Sequence, residues 1–422
     1  MKDLLNIEYK KITLKNGLEV ILYKNDSFPT IAVNIWYKVG SANEIPNKTG
    51  FAHLFEHMMF QGSQNVPKEM HFRYIQEAGG SLNGSTSMDR TNYYETLPSD
   101  SLELALWLES DRMGFLLPAL TEEKLENQKD VVMNERRQNY DNQPYGLAWE
   151  ILFSNLFPSN HPYNWPTIGW MKDIEKFELD DVKEFFKKYY SPNNASLVIG
   201  GNFDEENAVK LAKKYFEEIP NQDKIKEIQI EFQTLENINK IIHEDNVQLS
   251  KVYFAWKSEK GYAEYDAALD VLADILAGSK SSRLQKQLIH NLQIAQDVST
   301  FQYSAKYDGA FFITITAQLN CDLELLKKET FNEINKIINE GITELELERA
   351  VNSYKSSYIY SLQNLDNLVN QINSYNCNLG EPNSFKYDMN RYLKLNCDDI
   401  RSAAKLFLEN NYVELQIVPK QK

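Results

Sequence analysis

The sequence predicts an α+β fold built from two homologous halves, residues 1–225 and 226–422, each an antiparallel-rich sheet packed with helices. Three observations predict it. Runs rich in β-branched and aromatic residues alternate with helical patterns in both halves. LDDVKEFFKKYYSPNNASLVI, ending at Ile199, matches CDDIRSAAKLFLENNYVELQI, ending at Ile417, in residue class and element order. At nearly the same offset, HLFEHMMFQGS, ending at Ser63, falls on LADILAGS, ending at Ser279, and VYFAWKS stands where NIWYKVGS stands earlier. A chain of 422 residues can supply a core to each half.

LEVILY and TIAVNIWY, separated by the turn-like KNDSFP, read as a hairpin or meander. TGFAHLFEHMMFQGS follows as a helix of about three turns, with Thr49 as N-cap and Gly62 as its stop. Further helices are expected near 69–78, 100–115, 121–141 and 180–190. NNASLVIGGNF is a strand between turns, the helical EENAVKLAKKYFEEI ends before Pro220, and a boundary is expected between about 220 and 240. In the repeat alignment His53, Glu56 and His57 fall on Leu269, Leu272 and Ala273, which leaves the polar site to the first half.

An apolar content of 42% places the chain among folded globular proteins. The net charge of −15 is spread without a block of like charges, which argues against nucleic acid and anionic membranes as partners. Cys321, Cys377 and Cys397 lack the paired spacing of a zinc ribbon or redox motif and read as reduced structural thiols. The opening MKDLLNIEYKKITLKNG meets charge before any apolar stretch, and no run reaches the ~20 apolar residues of a membrane span, so a cytoplasmic location is expected.

His53 and His57 are one helical turn apart on one face, the spacing at which two imidazoles reach one cation, and Glu56 lies beside them. The rest of that helix is apolar almost all round, so three ionisable residues there need a partner. Bound Zn²⁺ resolves the cost, whereas two hydrogen-bonded core histidines would need no metal. Catalytic zinc takes three protein ligands. Along TEEKLENQKDVVMNERRQNY, Leu125, Gln128, Val132 and Glu135 share a face, which makes Glu135 the inward carboxylate. Glu122 and Glu123 complement the helix dipole instead. His161, within HPYNWPTIGW, reads as a structural residue of a packed surface loop.

HLFEH, NGSTSMDRTNYYETLP and VVMNERRQNYDNQPYG, in that order, closely resemble the pitrilysin and insulinase-like family of inverted-motif zinc peptidases, in its small bacterial and mitochondrial-processing-peptidase-like branch. GSKSSRL stands where that branch commonly carries a GxxSRL run. The resemblance implies two α+β halves forming one half of a clam-shell chamber, with zinc held by His53, His57 and Glu135 and Glu56 as general base. It also implies that Asn83, Gly84, Ser85 and Thr86 form an edge strand to which substrate adds as an extra strand, although Asn-Gly alone would suit a turn.

Two departures bear on activity. Many relatives carry a further Glu seven residues before the ligand Glu, where this chain has Gln128, with consequences for tuning around the metal. Active relatives also place an Arg and a Tyr after the SRL segment, and those positions fall here near Ile289 and Gln296, while Arg283 and Tyr303 are displaced from them. Some members of the branch divide these residues between two chains. The resemblance therefore implies a zinc-bearing peptidase subunit that works with a paralogous partner lacking the zinc motif, a homodimer being the lesser expectation. The alternative is a non-catalytic, zinc-binding assembly subunit of the same fold.

Overall fold

A computed structural model describes residues 5–420; residues 1–4 and 421–422, the outermost ends of the two expected domains, lie outside the described residues. The strands are β1 (Lys10–Thr13), β2 (Glu19–Lys24), β3 (Thr30–Tyr37), β4 (Ser81–Thr86), β5 (Thr91–Pro98), β6 (Ala195–Gly201), β7 (Asn239–Asp245), β8 (Lys251–Ser258), β9 (Ala295–Ser304), β10 (Gly309–Ala317) and β11 (Val413–Pro419). The helices needed below are α1 (Phe51–Met58), α2 (Met70–Glu77), α3 (Leu102–Phe115), α4 (Glu122–Arg136), α5 (Ala148–Leu156), α6 (Asp266–Ala273), α7 (Glu344–Ser361) and α8 (Leu365–Leu379). Among the described residues no helix is long and apolar enough to cross a membrane.

The chain forms two compact units. The first contains the chain up to Arg136, Trp165–Glu227 and Ile359–Lys386; the second contains Arg137–Asn164, Ile228–Tyr358 and the chain from Tyr387. The border at Glu227 falls near residue 225, but each unit also takes a segment from the other half. The reason is that each sheet has two apolar faces to cover. In the first unit α8 packs on β3 and β6. Gly200 makes room for it, since a Cβ there would stand 2.3 Å from Val369 Cγ2, and Asn373 donates to the main-chain oxygens of Asn34 and Ser196. In the second unit α5 packs on β8 and β11, with Trp149 and Phe153 against Phe312.

The duplication is plain in the topology. The first sheet runs β1-β2-β6-β3-β5-β4 and the second β7-β11-β8-β10-β9. Apart from the added β1, they have the same order: β2 pairs parallel with β6 as β7 does with β11, and β3 lies antiparallel between β6 and β5 as β8 does between β11 and β10. The central strands are buried on both faces and read as continuous apolar runs rather than alternation, as in TIAVNIWY and VYFAWKS. In each sheet the strand preceding the central hairpin partner lies at the edge, β4 in one and β9 in the other.

Candidate metal centre

The helix carrying the motif starts later than the sequence suggests. Thr49 does not cap it: its hydroxyl donates to Asp173, at 2.7 Å, and accepts from the Trp170 amide. The cap is the carboxylate of Glu44, which accepts from the Gly50 and Ala52 amides at 2.9 and 2.7 Å and satisfies donors that a helix start leaves open. Gly50 has φ 90°, and a Cβ there would strike the Ile168 carbonyl at 2.4 Å, so only glycine fits the junction. The same loop reaches α4, because Arg136 donates to the Gly169 carbonyl at 2.9 Å. One loop thus braces both helices of the site. Neither acid carried a sequence signal: Glu44 lies in the segment before α1 and Asp173 in a short helix, Met171–Ile174, and only the fold aims them at the start of α1.

Phe51, Ala52, Leu54, Phe55 and Met58 are buried in the core, and His53, Glu56 and His57 share the remaining face of α1. On α4 the face Leu125, Gln128 and Val132 is buried and ends at the half-exposed Glu135. The two helices pack together. His57 Nε2 lies 3.4 Å and His53 Nε2 3.8 Å from Glu135 Oε2, and one ligand atom from each residue falls within 4.8 Å of the others. Burial, with help from the neighbouring His57, pushes His53 down to about 4, so it is neutral near neutral pH. The hydrogen bond with His57 holds Glu135 below the usual carboxylate range. Two imidazoles and a carboxylate at these spacings fit a shared cation, since zinc donors about 2.0–2.2 Å from the ion stand some 3.4 Å apart around a tetrahedron.

Asn83, Gly84, Ser85 and Thr86 lie on the edge strand β4, paired on one side with Tyr94, Tyr93, Asn92 and Thr91, so Asn-Gly here is strand and not turn. Thr86 Oγ1 donates to Glu56 Oε2. Burial raises Glu56 above the usual carboxylate range, and that hydrogen bond opposes the rise. Gln128 is buried, and its amide donates to Asn127.

In the second unit Arg283 is engaged by Glu346, at 2.7 Å, and by the Gly341 carbonyl. Tyr303, on β9, packs edge-on against Phe153. Ile289 is partly buried against the core, and Gln296 is exposed at the start of β9. His161 is buried with Nε2 3.3 Å from Asp308, in a loop that packs inward instead of lying on the surface as expected.

The repeat alignment needs a one-residue correction. Leu269 and Leu272, set opposite His53 and Glu56, are fully buried. The burial pattern of α1, with openings at 53, 56 and 57, instead aligns with openings at Asp270 and Asp274. Asp270, Ala273 and Asp274 therefore replace His53, Glu56 and His57. The second copy has one residue fewer between that face and Ser279 than the first has before Ser63.

A second buried group, His71, Glu95 and Glu109, also lies within 4.8 Å. Arg112 already fills it with positive charge, donating to Glu109 while its guanidinium sits 4.1 Å over the Tyr93 ring. Burial pushes His71 down and Glu95 up, so their neutral forms are favoured beside that ion pair.

Two repeated α+β units, with an inverted HxxEH helix facing a glutamate in the first, define a protein of the zinc-peptidase fold. The chain belongs to the M16 peptidase family. Residues 19–164 match the model described as "Insulinase (Peptidase family M16)" and residues 176–354 the model described as "Peptidase M16 inactive domain". The zinc protease PqqE of Helicobacter pylori is 30% identical over 373 residues, covering 87% of this chain and 83% of that protein. YmxG of Bacillus subtilis, named an uncharacterized zinc protease, is 24% identical, with 97% and 98% covered. A crystal structure of a protease from Helicobacter pylori superposes with a TM-score of 0.90 at 28% identity, covering 98% of this chain and all of that one.

Proposed function

We propose that this chain is the zinc-bearing subunit of a metalloendopeptidase acting on peptides or extended, unfolded segments. The observation that carries the reading is the convergence of His53, His57 and Glu135 with Glu56 beside them on the same helical face. His53, His57 and Glu135 would hold the zinc. Bound there, zinc supplies Lewis acidity, polarising a carbonyl and acidifying water. Glu56 takes a proton from the attacking water as its oxygen bonds to the scissile carbonyl carbon, and returns a proton to the amine as the C–N bond breaks. Asn83 and Ser85 lie on the strand along which an extended peptide would add through main-chain hydrogen bonds.

The second unit offers neither a guanidinium nor a phenol at Ile289 and Gln296, and Arg283 is already engaged by Glu346. A paralogous subunit without the zinc motif supplies that pair in this reading. The test is metal analysis of the purified chain, then a quenched peptide library assayed with the chain alone and with an adjacent-gene paralogue added. Zinc in the chain and turnover only in the mixture are expected. Full turnover by the chain alone removes the partner from the reading, and zinc with no turnover in either case leaves a non-catalytic assembly subunit.

A further inference from the structure

We propose that Thr86 is a positioning residue for Glu56, and that the edge strand β4 seats this side chain on one of its faces. The proposal rests on the reading of Glu56 as general base. Residues two apart on a strand share a face, and on β4 the face shared by Gly84 and Thr86 meets α1. A Cβ at Gly84 would stand 3.1 Å from Glu56 Oε1 and 3.2 Å from its Cγ, so the glycine lets the glutamate stem lie against the strand. Thr86 then fixes the other oxygen by donating its hydroxyl to Oε2.

The neighbouring residues do something else. The Asn83 side chain accepts from the Gly84 amide. Ser85 donates to Asn92, and Arg90 holds both the Ser85 carbonyl and Asn92, tying β4 to β5. The tetrapeptide Asn83–Thr86 therefore divides by face: Gly84 and Thr86 serve the base, and on the alternate face Ser85 serves the hairpin. A glutamate with three rotatable bonds, half enclosed beside two imidazoles, is held in one orientation by a hydroxyl on one oxygen and a backbone against its stem. This differs from a role in substrate contact, because the Thr86 hydroxyl is spent on Glu56.

The test compares Thr86→Val, which keeps the β-branched shape and removes the donor, with Thr86→Ser, which keeps the donor. Both are made in the zinc-loaded chain, with its partner subunit where turnover requires one. Thr86→Val is expected to lower kcat about 10–100-fold, the scale of a misplaced reacting group, with KM within about twofold and zinc content unchanged. Thr86→Ser should recover kcat to within about threefold. A second measurement uses Glu56→Gln, which holds a fluorescein-labelled peptide uncleaved: adding Thr86→Val there should leave the peptide Kd within about twofold. A raised KM with kcat intact, or about tenfold weaker peptide binding in the Glu56→Gln background, makes Thr86 a substrate contact and overturns the proposal. Zinc loss from Thr86→Val overturns it as well, by making the role structural. Full turnover by Glu56→Gln alone would instead remove the general-base reading beneath it, and is measured first.

Discussion

The two repeats present the same point of the same scaffold with almost completely different residues. In the first unit α1, α4 and β4 bring together His53, Glu56, His57 and Glu135. In the second, α6, α7 and β9 surround a cavity of about 330 Å³ lined by Asp270, Ala273, Asp274, Thr300, Tyr354 and Ser357. Glu135 stands as far after Thr121 as Ser357 stands after Thr343, so the third ligand has become a hydroxyl. Asp270 accepts from Tyr392 at 2.6 Å, and burial pushes it up to about 7. Helix and strand edge survive without any of the four side chains. What a repeat does is therefore set by a few residues on one helical face, while its fold is set by the apolar residues behind them.

That contrast can be broken most sharply at Glu56. Glu56→Gln keeps the shape of the side chain and removes the base; turnover by the active form should fall about 10²–10⁴-fold while zinc content, measured by plasma emission, stays at the parent level. Persistent turnover would place the base elsewhere. Glu135→Ser copies the second repeat into the first. Dialysis against a chelator that leaves the parent loaded should strip this variant, and retention of zinc at parent affinity would show that His53 and His57 suffice.

In the second repeat the comparison is sharpened by pH. Because folding raises the Asp270 pKa from 3.8 to about 7, the folded state binds a proton the unfolded state has released. Its burial therefore costs nothing below about pH 4, costs progressively more as pH rises to 7, and levels off above. Asp270→Asn removes a cost of up to about 4 kcal/mol at neutral pH, so its Tm should gain on the parent between pH 4 and 7. A constant difference across that range would refute the shift. The smallest effect is expected at the brace of α1. Asp173→Asn weakens the hold on Thr49, and a loss of about 1–2 kcal/mol by denaturant titration is expected, together with weaker zinc retention. Unchanged zinc affinity would separate the brace from the metal centre.

Much of this was legible in the sequence for a physical reason. The period of His53 and His57 on a helix, and the run Leu125, Gln128, Val132, Glu135, are local consequences of 3.6 residues per turn, and a helix keeps them wherever it docks. The strand pattern and the repeat are likewise written in residue class, which reports burial. The one-residue error in aligning α6 shows the limit of that signal. Residue class cannot tell which of several adjacent positions on an apolar helix opens toward a pocket, because that depends on what packs across from it.

Sequence alone determined that there are two α+β repeats, which one holds the histidines, and which four side chains to watch. Tertiary structure alone decided which residues of the edge strand β4 face Glu56, that Glu44 caps α1, and that α5 and α8 each cover the sheet of the other half. These depend on contacts between residues far apart in the chain, and such contacts leave no periodic mark on the sequence. They exist because a two-faced sheet, an open helix end and a half-buried carboxylate must each find a partner wherever the chain can bring one.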